Sequence, residues 1–225
     1  MNCFGCRAVW PKEGGDQPSP RSGGVWSGLP EASRPTRIEW DSWAPWPLQC
    51  EIAWIFGWRL TEVGYLVHAY PGLEPFVGRC MYLILPVHDQ AGHPVWFTAR
   101  AMGEAPRPYL QPPGLAPVYW RSWHFVPRKK KSLLAITEGI ADAAFLSQRC
   151  DSIALCGMRY DGSLDFELRG RDVMIALDGD APGYAASTVV GQQMIAAGAR
   201  SVRLVAYAGK DPTDWTDLEF ADALK

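Results

Sequence analysis

The sequence predicts an α/β protein. We expect a parallel sheet flanked by helices in residues 132–225, a smaller α+β subdomain in residues 41–131 and a flexible arm in residues 1–40. In the last part of the chain, short apolar segments alternate with helical ones, which is typical of βα units and a parallel sheet. Between residues 11 and 37, proline, glycine and serine predominate, as they do in flexible linkers.

The C-terminal elements follow one another regularly. The predicted strands are LLAIT, SIALCG, DVMIALD and SVRLVAY, and the predicted helices are GIADAAFLSQR, APGYAASTVVGQQMIAAG and DWTDLEFADALK. The runs LLAI, MIAL and VRLV are apolar without alternation, which predicts strands that are covered on both faces.

The preceding subdomain is predicted to combine two strands with a short helix. MYLILPV and PVWFTARAM predict two strands joined by the turn HDQAGH, and GWRLTEVGYLV predicts a turn followed by a short helix. Residues 103–118 are rich in proline and are predicted to be loop.

The overall composition excludes several classes of protein. Nothing in the 225 residues predicts a membrane span or a secretion signal, and the six cysteines are scattered, so we expect a cytoplasmic protein without membrane contact. The net charge is −2, but residues 1–131 carry an excess of Lys and Arg, whereas residues 132–225 carry an excess of Asp and Glu. A basic N-terminal part suits contact with a polyanion, and an acidic C-terminal part suits binding of a metal. Chance variation along the sequence explains the charges equally well.

Acidic residues follow the predicted strands of the last domain. Glu138 follows LLAIT, Asp178 follows VMIAL with Asp180 two residues later, and Asp211 follows the last strand; Asp142 lies one helical turn after Glu138. Functional groups collect at the carboxyl ends of the strands in open parallel sheets. We therefore expect these carboxylates to lie near one another.

Such a cluster is costly without a cation. Two unit charges about 4 Å apart repel by roughly 4 kcal/mol at an effective dielectric constant near 20. A hard divalent ion, Mg²⁺ or Mn²⁺, removes this repulsion, binds substrate phosphates and neutralises charge in phosphoryl transfer.

Three segments of the last domain contain these acids: TEGIADAAFL, IALDGDAPGYAA and GKDPTDW. They resemble the three signature blocks of Toprim domains, with the best match to those of bacterial-type and phage DNA primases. The resemblance implies that Glu138 is a general acid/base or metal ligand, and that Asp178 and Asp180 bind Mg²⁺. Asp142 and Asp211 match further acids of the family's metal site. The third block of the family typically reads Asp-Pro-Asp, and here Thr213 replaces the second acid.

A second resemblance covers the segment before the Toprim domain. ILPVHDQAGHPVWFTARAM followed by PRPYLQPPG is similar to the strand–turn–strand of primases. It implies that Arg100, Arg107 and Tyr109 contact nucleic acid or nucleoside triphosphate. We add to these the adjacent basic residues Arg128, Lys129, Lys130 and Lys131, which could track a phosphate backbone.

The cysteines Cys3 and Cys6 resemble half of the primase zinc ribbon. A structural zinc ion needs four ligands, and the other cysteines lack pair spacing. We interpret the pair as a truncated remnant and do not expect zinc.

Together, these resemblances imply a DNA primase catalytic core in a bacterial or phage-infected host. The expected substrates are a single-stranded DNA template and ribonucleoside triphosphates, and a separate replicative helicase is a further candidate partner. A Toprim-type metal-dependent nuclease and a DNA-binding replication or recombination accessory without turnover remain as alternatives.

Overall fold

A computed structural model describes residues 24–31, 56–124, 131–157 and 160–225. The chain divides into two compact units, Met1–Val118 and Tyr119–Lys225. The sequence placed this boundary later, between residues 131 and 132. The difference arises because strand β5 (Trp120–Arg121) pairs with the C-terminal sheet.

The N-terminal unit contains a four-stranded antiparallel sheet in the order β1-β2-β3-β4. Its strands are β1 (Arg59–Thr61), β2 (Tyr82–His88), β3 (Pro94–Ala101) and β4 (Tyr109–Leu110). The predicted strand–turn–strand at β2 and β3 is confirmed. The short strands β1 and β4 were missed, because two or three residues are too few to show a period of two.

Helical segments cover one face of this sheet. Helix α1 (Val63–Ala69) is followed by the 3-10 helix Pro71–Phe76. Leu66 of α1 and Tyr70, which lies between the two helices, are buried with residues of β2 and β3, including Ile84 and Phe97. The smaller unit is therefore α+β, as predicted.

The C-terminal unit contains a five-stranded sheet in the order β5-β7-β6-β8-β9. Strands β6 (Leu133–Thr137), β7 (Asp151–Ala154), β8 (Asp172–Ile175) and β9 (Ser201–Leu204) are parallel, and β5 runs in the opposite direction. The predicted parallel sheet is confirmed.

Helices lie on both faces of this sheet. They are α2 (Ile140–Leu146), α3 (Asp165–Leu168), α4 (Ala181–Ala196) and α5 (Asp217–Ala223). Leu134 packs with residues of α4, whereas its neighbour Ala135 packs with residues of α2 and α5. No helix within the described ranges is long and apolar enough to cross a bilayer.

The expected burial is confirmed for β6 and β8 and is wrong for β9. Every residue from Leu134 to Thr137 and from Val173 to Leu177 is buried, whereas Leu204 of β9 is 50% exposed. Strand β9 lies at the end of the sheet order, so a neighbouring strand covers only one of its sides. An apolar run therefore does not by itself distinguish a central strand from an edge strand.

Helix α5 begins later than the sequence predicted. A 3-10 turn, Pro212–Asp214, comes first, and α5 then starts after Thr216. Thr216 and Glu219 form a capping box, in which each side chain accepts a hydrogen bond from the backbone N–H of the other residue. The cap defines the helix start because it satisfies the N–H groups that the first turn leaves unpaired.

Candidate functional site

The strand order creates a crevice between β6 and β8. From β6 the chain passes through α2 to β7 on one side, and then crosses to β8 on the other side of β6. The chain therefore continues on opposite sides of β6, which makes the gap between β6 and β8 a topological switch point. Ligands of open α/β sheets bind at a switch point, outside the carboxyl ends of the strands. This place in the sheet is therefore the candidate site.

Two of the predicted acids flank this crevice. The register pairs Ile136 with Ile175, so Glu138 and Asp178 follow neighbouring strands at nearly the same height. Glu138 is half-buried, and Asp178 is only 9% exposed. The backbone N–H of Cys156 donates to the Glu138 carbonyl at 3.0 Å, which extends the β6–β7 ladder up to the acid.

Asp180 has a structural role in addition to its predicted role as a metal ligand. Its Oδ1 accepts a hydrogen bond of 2.7 Å from the backbone N–H of Gly183, which makes Asp180 the N-cap of α4. Pro182 lies in the first turn of this helix, as the sequence predicted. The cap fixes the Asp180 carboxylate at the start of the helix, one residue beyond Gly179.

Asp142 connects the first of the three acid-bearing blocks, TEGIADAAFL, to the third, GKDPTDW. The backbone N–H of Thr213 donates to Asp142 Oδ1 at 3.3 Å, and α2 packs against the 3-10 turn that holds Thr213. Asp142 is buried to the same degree as Asp178. This contact keeps the segment after Asp211 beside the helix that follows Glu138.

The second and third blocks meet through Gly179. Its N–H donates to the Lys210 carbonyl at 3.1 Å, and its carbonyl accepts from Gly209 N–H at 2.8 Å. A Cβ atom on Gly179 would lie 2.0 Å from the Tyr207 carbonyl oxygen. The φ of Gly179 is not positive, so a left-handed backbone does not explain the glycine; the reason is close contact with the turn Tyr207–Lys210.

Lys210 was not identified from the sequence. Its Nζ contacts both carboxylate oxygens of Glu219, at 2.7 and 2.8 Å, and this side-chain contact is the main reason that the pKa of Glu219 falls to about 2. The N–H of Thr216 lowers the pKa further. The pair joins the turn before Asp211 to helix α5.

The donor set fits a hard divalent cation that binds together with a substrate. Within the described ranges, no three His, Cys, Asp or Glu side chains are placed to hold a metal ion by themselves. Mutual repulsion opposes closer approach of the carboxylates without a cation. Mg²⁺-type sites use one or two carboxylates, several waters and substrate phosphates rather than an all-protein cage. The prediction that the five acids bind metal stays a prediction.

The predicted nucleic-acid residues of the N-terminal unit lie next to aromatic rings. Arg100 and Tyr109 are paired across β3 and β4, with the guanidinium carbon 5.6 Å from the ring centroid. Arg107, in the loop between these strands, lies 3.9 Å from the centroid of Phe76. Phe76 was not identified from the sequence.

Only the last residue of the basic run lies within the described residues. The backbone N–H of Lys131 donates to Asp151 at 3.2 Å, and its carbonyl accepts from Arg171 at 2.7 Å. Lys131 is thereby held at the amino ends of β6 and β7, whereas Glu138 follows the carboxyl end of β6. Arg128, Lys129 and Lys130 lie outside the described residues, as do Cys3 and Cys6.

The fold is that of DNA primase catalytic cores. A DnaG primase catalytic domain bound to single-stranded DNA superposes with a TM-score of 0.59 at 16% identity, over 77% of this chain and 69% of that one. The primase fragment of the bacteriophage T7 primase-helicase protein gives a TM-score of 0.55 at 16% identity, over 78% of this chain and 70% of that one.

The sequence is also similar to that of a primase. A DNA primase of Geobacillus stearothermophilus is 31% identical over 153 residues, which cover 62% of this chain and 25% of that protein. The chain therefore spans about a quarter of the length of this curated relative. No family model matches the chain.

Proposed function

We propose that this chain is a DNA primase catalytic core that synthesises short RNA primers on single-stranded DNA. The observation that carries the proposal is the meeting of three acid-bearing blocks at the switch point of a primase-type fold. The likeness to a primase in sequence supports the same activity. The reaction joins a 3′-hydroxyl to the α-phosphorus of an incoming ribonucleoside triphosphate and releases pyrophosphate.

The C-terminal unit would act as a Toprim domain. Asp178 and Asp180 would hold Mg²⁺ or Mn²⁺, with Asp142 and Asp211 as further ligands. Glu138 would serve as a general acid/base or as another ligand. The bound cation would neutralise charge on the phosphates of the substrate.

The N-terminal unit would bind the template and the triphosphates. Arg100, Arg107 and Tyr109 are proposed to make these contacts, because Arg forms bidentate hydrogen bonds to phosphate and the aromatic rings can stack on bases. A solved relative of this fold is a catalytic domain bound to single-stranded DNA. We place the reaction in the cytoplasm, with a replicative helicase as a candidate partner because one structural relative comes from a primase-helicase protein.

One experiment tests the function. The protein is incubated with single-stranded DNA, labelled ribonucleoside triphosphates and Mg²⁺. We expect new short RNA that depends on both template and cation. Shortened DNA would indicate a nuclease instead, and a mobility shift without any product would indicate a binding accessory.

The basic run is expected to act as an electrostatic clamp on the template. Replacing Lys129, Lys130 and Lys131 together with Ala should weaken binding of single-stranded DNA about equally for all sequences, because phosphate contacts carry no base information. It should also flatten the salt dependence by roughly 0.7 in log–log slope for each phosphate that the protein no longer neutralises. Titration of DNA binding against salt measures both effects.

The matched control for the clamp is Lys225→Ala. Lys225 is an exposed lysine whose side chain is 78% accessible, and it forms an ion pair with Asp222 near the end of α5. This variant should keep the wild-type salt slope. A triple variant with the wild-type slope would show that the basic run is only a solvated loop.

A further inference from the structure

Phe76 forms a platform beneath Arg107. The guanidinium carbon of Arg107 lies 3.9 Å from the ring centroid, well within the distance of a cation–π contact. Phe76 is half-buried against the core of the N-terminal unit at the end of the 3-10 helix Pro71–Phe76, whereas Arg107 is exposed. The Phe76 ring is thus fixed by the core and packs against the guanidinium group of the solvent-exposed Arg107.

The loop that carries Arg107 is itself held close to this platform. At the end of β3, the N–H of Ala101 donates to the Pro108 carbonyl at 2.8 Å, which closes the loop. On the side of Phe76, a Cβ atom on Gly78 would lie 2.2 Å from the Glu104 carbonyl oxygen. The backbone at Gly78 is therefore in direct contact with the backbone at Glu104. This contact fixes the position of the loop from which the Arg107 side chain extends.

We infer that Phe76 is a positioning residue that orients the Arg107 guanidinium toward a phosphate of single-stranded nucleic acid. An exposed arginine ordinarily samples many rotamers and loses this freedom when it binds. Stacking on the ring restricts the guanidinium plane in advance and leaves its N–H edge available for bidentate contact with phosphate. The inference rests on the proposed function, because it takes the template as the ligand.

A double-mutant cycle on DNA affinity tests the inference. Phe76→Leu keeps an apolar side chain but removes the aromatic face, and we expect it to weaken binding of a single-stranded oligonucleotide about two- to fivefold. Phe76→Tyr keeps the face and should restore wild-type affinity. Phe76→Leu should have no further effect when Arg107→Ala is already present, because the ring acts through the guanidinium. Thermal unfolding of each variant reports separately any loss of stability.

The matched control is Phe166→Leu, at an aromatic residue that is 85% exposed in the C-terminal unit. Wild-type affinity in Phe76→Leu would overturn the inference, as would a loss of the same size in the Arg107→Ala background or in Phe166→Leu. Failure of wild type to bind single-stranded DNA would overturn it as well. The primer-synthesis assay is a separate measurement, so a protein that binds DNA with the expected coupling but makes no RNA would contradict only the proposed activity.

Discussion

Asp178→Asn is expected to abolish primer synthesis while the protein remains folded. The amide has the shape of the carboxylate but lacks its charge, so the cation proposed for the switch point would lose a negatively charged ligand. Loss of one charge-stabilising group in an active site commonly costs about 100-fold or more in rate. Stability should be unchanged or slightly higher, because the metal-free protein no longer holds as many like charges near one another.

Asp180→Asn should have the same effect on activity for the same reason. Asparagine is as good an N-cap as aspartate, so α4 should remain capped. Asp180→Ala removes the cap as well and should cost roughly 1 kcal/mol in the free energy of unfolding. Primer yield and urea unfolding of the three variants separate charge from fold. Full activity in either Asn variant, or unfolding of Asp178→Asn, would contradict the assignment.

Gly179→Ala is expected to abolish activity and to destabilise the C-terminal unit. The new methyl group would meet the Tyr207 carbonyl oxygen at 2.0 Å and the Lys210 carbonyl oxygen at 2.7 Å, and neither backbone atom can move aside cheaply. Overpacking of this kind costs roughly 1–3 kcal/mol. Relief of the clash must separate the second block from the third, so Asp178 and Asp180 lose their placement relative to Asp211.

Gly170→Ala is the control for backbone effects. Gly170 has a φ of +72° and open space around its Cβ position, so alanine there meets strain without a clash. We expect this variant to lose about 1–2 kcal/mol of stability and to keep primer synthesis. Thermal unfolding and primer yield should be measured at a temperature where both variants are folded. Equal activity in the two variants would show that contact between the blocks is unnecessary.

The sequence predicted those parts of the site that depend on local order. Glu138 and Asp178 each follow an apolar segment, and the βα alternation makes those segments strands whose carboxyl ends share one edge. The positions of Glu138 and Asp178 beside the crevice follow from that rule, and the structure places them so. Their chemical roles were inferred from resemblance and stay predictions, which the Asn variants test.

Contacts between distant segments could not be predicted in this way. Gly179 and Lys210, or Phe76 and Arg107, are about 30 residues apart, and no local pattern indicates which turn packs against which loop. Gly179 shows this directly, because only the folded structure reveals that its backbone lies against Tyr207 and Lys210. A glycine in the sequence indicates only that a side chain is absent.

The sequence by itself determined the class of fold and the order of the chemical groups, because hydrophobic periodicity and strand-end residues are properties of neighbouring positions. The tertiary structure alone decided that β5 joins the C-terminal sheet, that β9 is an exposed edge and that Asp180 caps α4. It also decided which residues connect the three acid-bearing blocks. These features depend on which surfaces meet once the elements pack, and packing is set by the whole chain at once.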